Sequence, residues 1–231
     1  ITSDKSYLNV EKKKGYKETD RLGGIDPYSA SKASAEIIIN SFHKSFLKKN
    51  KNISIAVARA GNVVGGGDWS KDRLIPDCIK AWSKKKTVSI RNLKSTRPWQ
   101  HVLEAIGAYL FLGYLLTKNK KLIEGEAFNF GPVYKENYST GVVLQNLIKN
   151  WPTKAKIKVI KKQKFKESTL LKLNCNKAKK IGWKSILNLN ETLFLTIFWY
   201  KSYYYNKSSI IRISKDQLKK YFTRLNSQLK K

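Results

Sequence analysis

The sequence predicts an α/β layered fold, because short apolar, β-branched runs alternate with segments whose apolar residues recur at helical spacing. An apolar fraction of 41% is enough for a real core and excludes wholesale disorder. At 231 residues the chain is one large domain or one and a half small ones. In order, Ile1 precedes Ser3-Asp4-Lys5 as the end of a strand. Residues 28–49 carry Ile37, Ile38, Phe42 and Phe46 at helical spacing, with Asp26-Pro27 as a start signal. The β-branched run at 53–58 reads as a buried parallel strand. Residues 74–84 and 102–116 read as helices, the second apolar enough to be mostly buried. Thr87–Ile90 and Ala127–Phe130 read as strands, the latter stopped by Gly131-Pro132. Helices follow at 139–149 and 190–205. Past about residue 130 the elements become shorter and richer in lysine, which predicts a first unit over 1–130, a smaller lobe over 131–206, and a polar helix or tail over 207–231.

Composition narrows the function classes. No run of 18 apolar residues predicts a membrane span, and the first residues do not follow the secretory pattern of a basic, then apolar, then small-residue segment. Cys78 and Cys175 form no CxxC pair and read as buried reduced thiols, which suits the cytoplasm; no metal site is expected. Met is absent, position 1 included, so the residues read as a piece of a longer chain. The formal charge of +31 raises the question of a polyanion partner. Forty of the 47 basic residues are lysine, in short runs such as 12–14, 84–86 and 161–162, whereas bidentate phosphate and base recognition favours arginine. A solvated basic surface is the reading preferred over a specific nucleic-acid face.

Four segments carry residue types suited to chemistry. Tyr28 and Lys32, four apart on a helix, share one face, and a nearby ammonium favours the phenolate form of a tyrosine. Such a tyrosine can accept the proton of an alcohol. Ser3-Asp4-Lys5, at a strand end, offers a hydroxyl, an acid and a base where doubly wound sheets bind ligands. In the glycine-rich stretch 59–69, Asn62, Asp68 and Trp69 crowd polar and stacking groups into one loop, with Arg73 just beyond. The stretch is not GxGxxG. Finally Arg91 and Arg97 bracket a loop and can clamp a pyrophosphate, with Trp99 as a stacking surface and His101 as a donor. Each segment alone also fits an ordinary turn, core or surface.

Together, Thr2-Ser-Asp-Lys5, Pro27-Tyr-Ser-Ala-Ser-Lys32, Arg59-Ala-Gly-Asn-Val-Val-Gly-Gly-Gly-Asp-Trp69, Lys71-Asp-Arg-Leu-Ile-Pro76 and Arg97-Pro-Trp-Gln-His-Val-Leu-Glu104 stand in the order and spacing of one family. Over roughly residues 1–200 the chain resembles the extended short-chain dehydrogenase/reductases, and is most similar to their CDP-glucose 4,6-dehydratase branch. The resemblance implies the C-terminal part of a Rossmann-like doubly wound parallel sheet with a smaller α/β substrate-binding lobe. It implies NAD as cofactor, contacted by Tyr28 and Lys32, and a nucleotide sugar, CDP-glucose, as substrate. Tyr28, aided by Lys32 and positioned by Ser3, takes the proton from the C4 hydroxyl as C4 is oxidised. Asp4 then protonates the departing C6 oxygen, Lys5 acts at C5, and hydride returns to C6. Relatives acting on dTDP-glucose carry Asp-Glu at the pair where this chain has Asp4-Lys5. Asn62, Arg73, Leu74, Arg91, Arg97 and His101 are similar to residues that hold the nucleotide and pyrophosphate. The family's dinucleotide glycine motif has no counterpart in these residues, which are expected to start at about the fourth or fifth strand. A homodimer through the Tyr28 helix is expected of the complete protein. The alternatives are another extended family member such as a nucleotide-sugar epimerase, a basic nucleic-acid-binding protein on an α/β scaffold, or an inactive fragment.

Overall fold

The computed structural model describes residues 1–50, 52–118, 120–132, 137–160, 169–206 and 209–229. Strand β1 (Thr2–Ser3) runs directly into a 3-10 turn, Asp4–Ser6, and helix α1 (Pro27–Phe42) continues as a π turn, His43–Leu47. Strands β2 (Val57–Ala60) and β3 (Val63–Val64) precede α2 (Leu74–Ser83). Then come β4 (Thr87–Ile90), β5 (Thr96–Arg97), β6 (Gln100–His101), α3 (Val102–Lys118) and the short α4 (Lys120–Ile123). Strand β7 (Ala127–Phe130), β8 (Tyr138–Ser139), α5 (Thr140–Asn150) and β9 (Lys156–Val159) follow. The chain closes with α6 (Asn176–Lys180), α7 (Leu189–Lys201), a π turn at Ser202–Asn206, and α8 (Ile210–Leu229).

The main sheet is parallel, in the order β1-β2-β7, with Thr2 opposite Arg59 and Val57 opposite Ala127. All four β2 residues are buried, as a central parallel strand requires. Against this sheet α3 and α6 pack Ala108, Leu112, Leu115 and Ala178 on Ala58, Phe128 and Phe130. A second core joins α2, α5 and α7 around Ile79, Trp82, Leu144, Leu147 and Leu193, with Val88 and Ile90 inserted from β4. Strand β4 pairs in parallel with β9 and alternates strictly, Thr87 and Ser89 out, Val88 and Ile90 in.

The α/β class and the strands at 87–90 and 127–130 agree with the sequence reading. Asp26 caps α1, its carboxylate accepting from Ser29 N at 3.0 Å, and Ser139 caps α5. Three expectations need correction, and the outward face of α1 is a finding beside them. The strand expected at 53–58 lies at Val57–Ala60, and Ile53 is outside the core, because Arg59 finds a buried partner and can occupy the strand. In α1 and the π turn after it the spaced apolar residues Ile37, Ile38, Phe42 and Phe46 are each more than half exposed, while Ser29, Ala33 and Glu36 face inward. Helix α3 is only half buried, with Ile106, Leu110 and Tyr114 on its outer face. The helix expected at 190–205 stops at Lys201 and gives way to the π turn. The polar C-terminal stretch is helical over Ile210–Leu229; residues 207–208 and 230–231, like the lysine pair at 161–162, lie outside the described residues.

A buried charge pair ties these elements together. Glu36 of α1 receives a forked contact from the Arg59 guanidinium of β2, with Nε at 2.9 and 2.8 Å from the two carboxylate oxygens. Thr2 of β1 donates to the same carboxylate at 2.6 Å. Arg59 Nη1 also donates to the Tyr7 hydroxyl at 2.7 Å, and Tyr7 donates to Asn129 of β7 at 2.7 Å. Removing one partner of such a pair leaves an uncompensated buried charge. Glu36→Ala is therefore expected to destabilise the protein by about 3–5 kcal/mol, read as a shift of the denaturation midpoint, whereas Ala in place of exposed Ser34 on the same helix is expected to cost under about 0.5 kcal/mol.

Candidate active site

Ser3 to Lys5 stand at the end of β1, Asn62 lies just past β2, and His101 ends β6. Ser3 is the last residue of β1 and caps the 3-10 turn: its Oγ accepts from Lys5 N at 3.2 Å and donates to Asp4 Oδ1 at 2.9 Å. Asp4 is 3% exposed and its Oδ2 has no hydrogen-bond partner. Burial pushes the Asp4 carboxyl up to about 6, although Lys5, Ser3 and Arg97 all favour its ionised form. The proton of the neutral form can sit on Oδ2, so the side chain is an acid poised near neutrality.

Helix α1 packs on this turn. Tyr28, in its first turn, is 55% exposed, and Lys32 places Nζ 5.5 Å from the centre of the Tyr28 ring, as the four-residue spacing requires. Asp26 sits at the same end; its hydrogen bonds from Ser29 hold its carboxyl below the ordinary range, and Lys5 adds to that effect. Both carboxylates beside Lys5 thus sense its charge. The structure brings together Ser3, Asp4 and Lys5, and separately Tyr28 and Lys32, on two elements in direct contact.

The remaining candidates divide into a rim and a floor. Asn62 is half-buried and its backbone carbonyl accepts from Gln100 N at 2.9 Å. Arg73 is exposed at the start of α2 and lies 3.5 Å from Asp68. Leu74 is half-buried and packs on the second core. Arg91 is exposed just past β4. Arg97 is buried; its Nη1 donates to Thr96 O at 2.8 Å and its charge acts on Asp4. Two expectations fail here for the same reason, burial. Trp99 is a core residue whose indole donates to Tyr138 O at 3.1 Å, not a stacking surface. His101 is 1% exposed, accepts from Leu103 N at 3.3 Å through Nδ1, and leaves Nε2 without a partner, so it forms floor and not rim. Burial lowers its pKa to about 4, keeping the ring neutral.

Sequence reasoning missed Glu36 and Tyr7, the partners of Arg59. An arginine at the end of a run of Ala and Val was the available signal, since a charge in a buried strand demands a carboxylate nearby. It also missed Trp199 and Tyr200, which reach the glycine-rich loop from 130 residues downstream and left no local pattern.

Comparison with known proteins adds an independent line. The family model described as GDP-mannose 4,6 dehydratase matches residues 1–195. The chain is 38% identical over 229 residues to the CDP-glucose 4,6-dehydratase of Salmonella typhimurium, covering 96% of this chain and 63% of that protein. It thus spans under two thirds of that relative's length. Among solved structures it is similar to the dTDP-glucose 4,6-dehydratase of Bacillus anthracis in complex with NAD, with a TM-score of 0.68 and 20% identity over 87% of this chain and 60% of that one. It is also similar to the UDP-glucuronic acid 4-epimerase of Bacillus cereus, with a TM-score of 0.72 and 22% identity over 88% and 60% of the two chains. At such identities the likeness establishes the fold.

The two buried groups titrate with opposite signs. A carboxyl raised to about 6 binds more protons folded than unfolded between its ordinary value and 6, so its contribution to stability falls as pH rises through that window. A histidine lowered to about 4 gives the reverse: its contribution falls as pH drops from its ordinary value toward 4. Asp4→Asn is therefore expected to gain stability over the wild type as pH rises from about 4 to 6, by on the order of 2–3 kcal/mol. Urea midpoints across that range check it, and parallel pH profiles for the two proteins would contradict it.

Proposed function

The chain belongs to the GDP-mannose 4,6 dehydratase family within the extended short-chain dehydrogenases/reductases, and from that premise we propose that it carries the catalytic and substrate-binding residues of a CDP-glucose 4,6-dehydratase. The observation that carries this reading is the buried acid Asp4 followed by Lys5 on a capped turn, packed against the helix that presents Tyr28 and Lys32. Tyr28 and Lys32 fit the nicotinamide end of NAD, because both lie on the open first turns of α1 beside the carboxyl ends of the strands. When bound, NAD supplies the reversible hydride acceptor.

The chain's own residues then divide the proton work. Tyr28 takes the proton of the C4 hydroxyl, with the Lys32 ammonium beside its ring stabilising the charge that develops. Ser3 orients that hydroxyl from the end of β1. Oxidation at C4 acidifies the C5 proton, which passes to Lys5 once that side chain has given up its own ammonium proton, and Asp4 in its protonated form gives its proton to the departing C6 oxygen. The acid keeps a protonated fraction up to about pH 6 because it is dry, so its burial is part of the chemistry. Arg73, Arg91 and Arg97 hold the diphosphate, and Asn62 and Leu74 line the nucleotide end. His101 supports them from below.

The rest of the reading follows. The exposed apolar residues Ile37, Ile38, Phe42 and Phe46 on α1 and the π turn after it form the face through which two copies pair as a homodimer. Residues 1–130 carry the sheet and catalytic groups, 131–206 chiefly the substrate lobe, and Ile210–Leu229 a peripheral helix. No helix among the described residues is long and apolar enough to cross a membrane, and a nucleotide-sugar enzyme of this kind works in the cytoplasm, feeding deoxysugar synthesis.

The test is to offer the full-length protein, purified with NAD, CDP-glucose and dTDP-glucose separately. Formation of a 4-keto-6-deoxy sugar from the CDP substrate is expected, with Tyr28→Phe lowering kcat by about 10²–10⁴-fold while melting as the wild type does. A folded, NAD-loaded protein that converts neither sugar would refute the dehydratase reading and favour an epimerase or an inactive relative.

A further inference from the structure

The glycine-rich loop between β3 and α2 is braced from outside by α7 and the π turn after it. Gly66 lies flat against the Trp199 indole: a Cβ there would stand 2.0 Å from Cγ of Trp199, inside any allowed contact. Gly67 follows with φ +82°, a backbone region that favours glycine. The next residue, Asp68, has its carbonyl fixed by the Tyr200 hydroxyl at 2.7 Å. Burial and the neighbouring Asp68 push the Tyr200 phenol up, so it remains a protonated donor. Trp69 completes the contact, its ring centre 5.3 Å from Tyr200 and 5.0 Å from Tyr203. Trp199 is itself held by α8, its indole donating to Ser214 Oγ at 3.0 Å.

At its far side the loop delivers a charge. The Asp68 carboxylate stands 3.5 Å from the Arg73 guanidinium, and Arg73 begins α2 with its side chain largely exposed. A residue on a loop can aim an arginine only if the loop has one shape. We propose that Trp199 and Tyr200 are positioning residues that fix the 65–73 loop and so aim Arg73 at the diphosphate of the nucleotide sugar. The inference rests on the dehydratase reading for its ligand, but the brace itself is a property of the loop. The brace also gives the exposed C-terminal helix a role in substrate binding, although it lies beyond the residues that the family model matches.

The experiment uses Tyr200→Phe, which removes one hydrogen bond and no ring, with Trp199→Phe as a second variant. Amide exchange is measured over residues 65–73, CDP binding by fluorescence titration, and KM and kcat for CDP-glucose in the full-length protein with NAD. Tyr200→Phe is expected to speed loop exchange by about tenfold, the worth of one buried hydrogen bond, and to raise KM and the CDP dissociation constant several-fold with kcat within about twofold. In an Arg73→Ala background the same change is expected to leave KM where Arg73→Ala puts it, because both act through one contact. Unchanged loop exchange in both variants overturns the inference, as does faster exchange with unaltered CDP binding, or an effect of Tyr200→Phe that simply adds to that of Arg73→Ala. CDP binding that weakens in Tyr200→Phe in a protein that turns over neither sugar would sink the dehydratase reading and leave the brace standing. A wild type that binds no CDP overturns both.

Discussion

The buried pair Glu36–Arg59 is the constraint on which the rest of the site depends. It joins α1 to the central strand, and through Thr2 and Tyr7 it reaches the strands on either side. Helix α1 has little else to hold it inward, because its sheet-facing residues are Ser29, Ala33 and Glu36. Small side chains let the helix come close, and the one long side chain among them then meets a guanidinium already committed to the strand. Desolvating both charges is costly, and the forked geometry with added donors offsets that cost. Burial alone would depress the arginine, yet the Glu36 bonds leave its pKa raised. The outcome is a helix whose height and rotation are set by directional bonds and not by greasy contact. That is what a constellation split between Ser3–Lys5 and Tyr28–Lys32 needs.

What the sequence disclosed follows from how local each signal is. Strands β4 and β7 were legible to the residue, since alternation and a Gly-Pro stop act over a few positions. The cap at Asp26 and the pairing of Tyr28 with Lys32 were legible for the same reason. The direction in which an apolar stripe points was not. Residues 37, 38, 42 and 46 recur at helical spacing whether they meet a core or another surface, and here they face outward. Likewise Trp99 and His101 sit in a motif that reads as a polar binding segment, but β6 and the residue before it are buried. The partners of Arg59 and of the glycine-rich loop come from distant segments, and only the folded chain brings them together.

A charge of +31 gives the whole surface a positive potential, which favours every carboxylate in its ionised form and draws in anionic ligands. Asp4 departs from that trend. Lys5 and Arg97 lie close enough to lower its pKa, and burial still prevails. Long-range charge is screened by salt within about 8–10 Å, whereas desolvation is local and is not. The lysines therefore set the long-range attraction for anions, and the buried surroundings set the protonation of the few enclosed groups. This separation explains how a lysine-rich surface and a neutral acid can coexist in one molecule.

The same division orders the candidate site from floor to rim. Asp4 Oδ2 and His101 Nε2 are both buried without a partner, and burial disfavours the charged form of each, raising the acid to about 6 and lowering the base to about 4. Arg73 and Arg91 are exposed, where a charge costs little to keep. Arginines at a wet rim bind a diphosphate well only if something restrains them. For Arg73 that restraint is the loop, and the loop's shape is imposed by the indole of Trp199 on Gly66 and the hydroxyl of Tyr200 on Asp68. A dry floor fixes protonation states by excluding water; a wet rim fixes direction by bracing the backbone. The loop meets Val102 at Gly65 and Trp199 at Gly66, so neither position has room for a side chain.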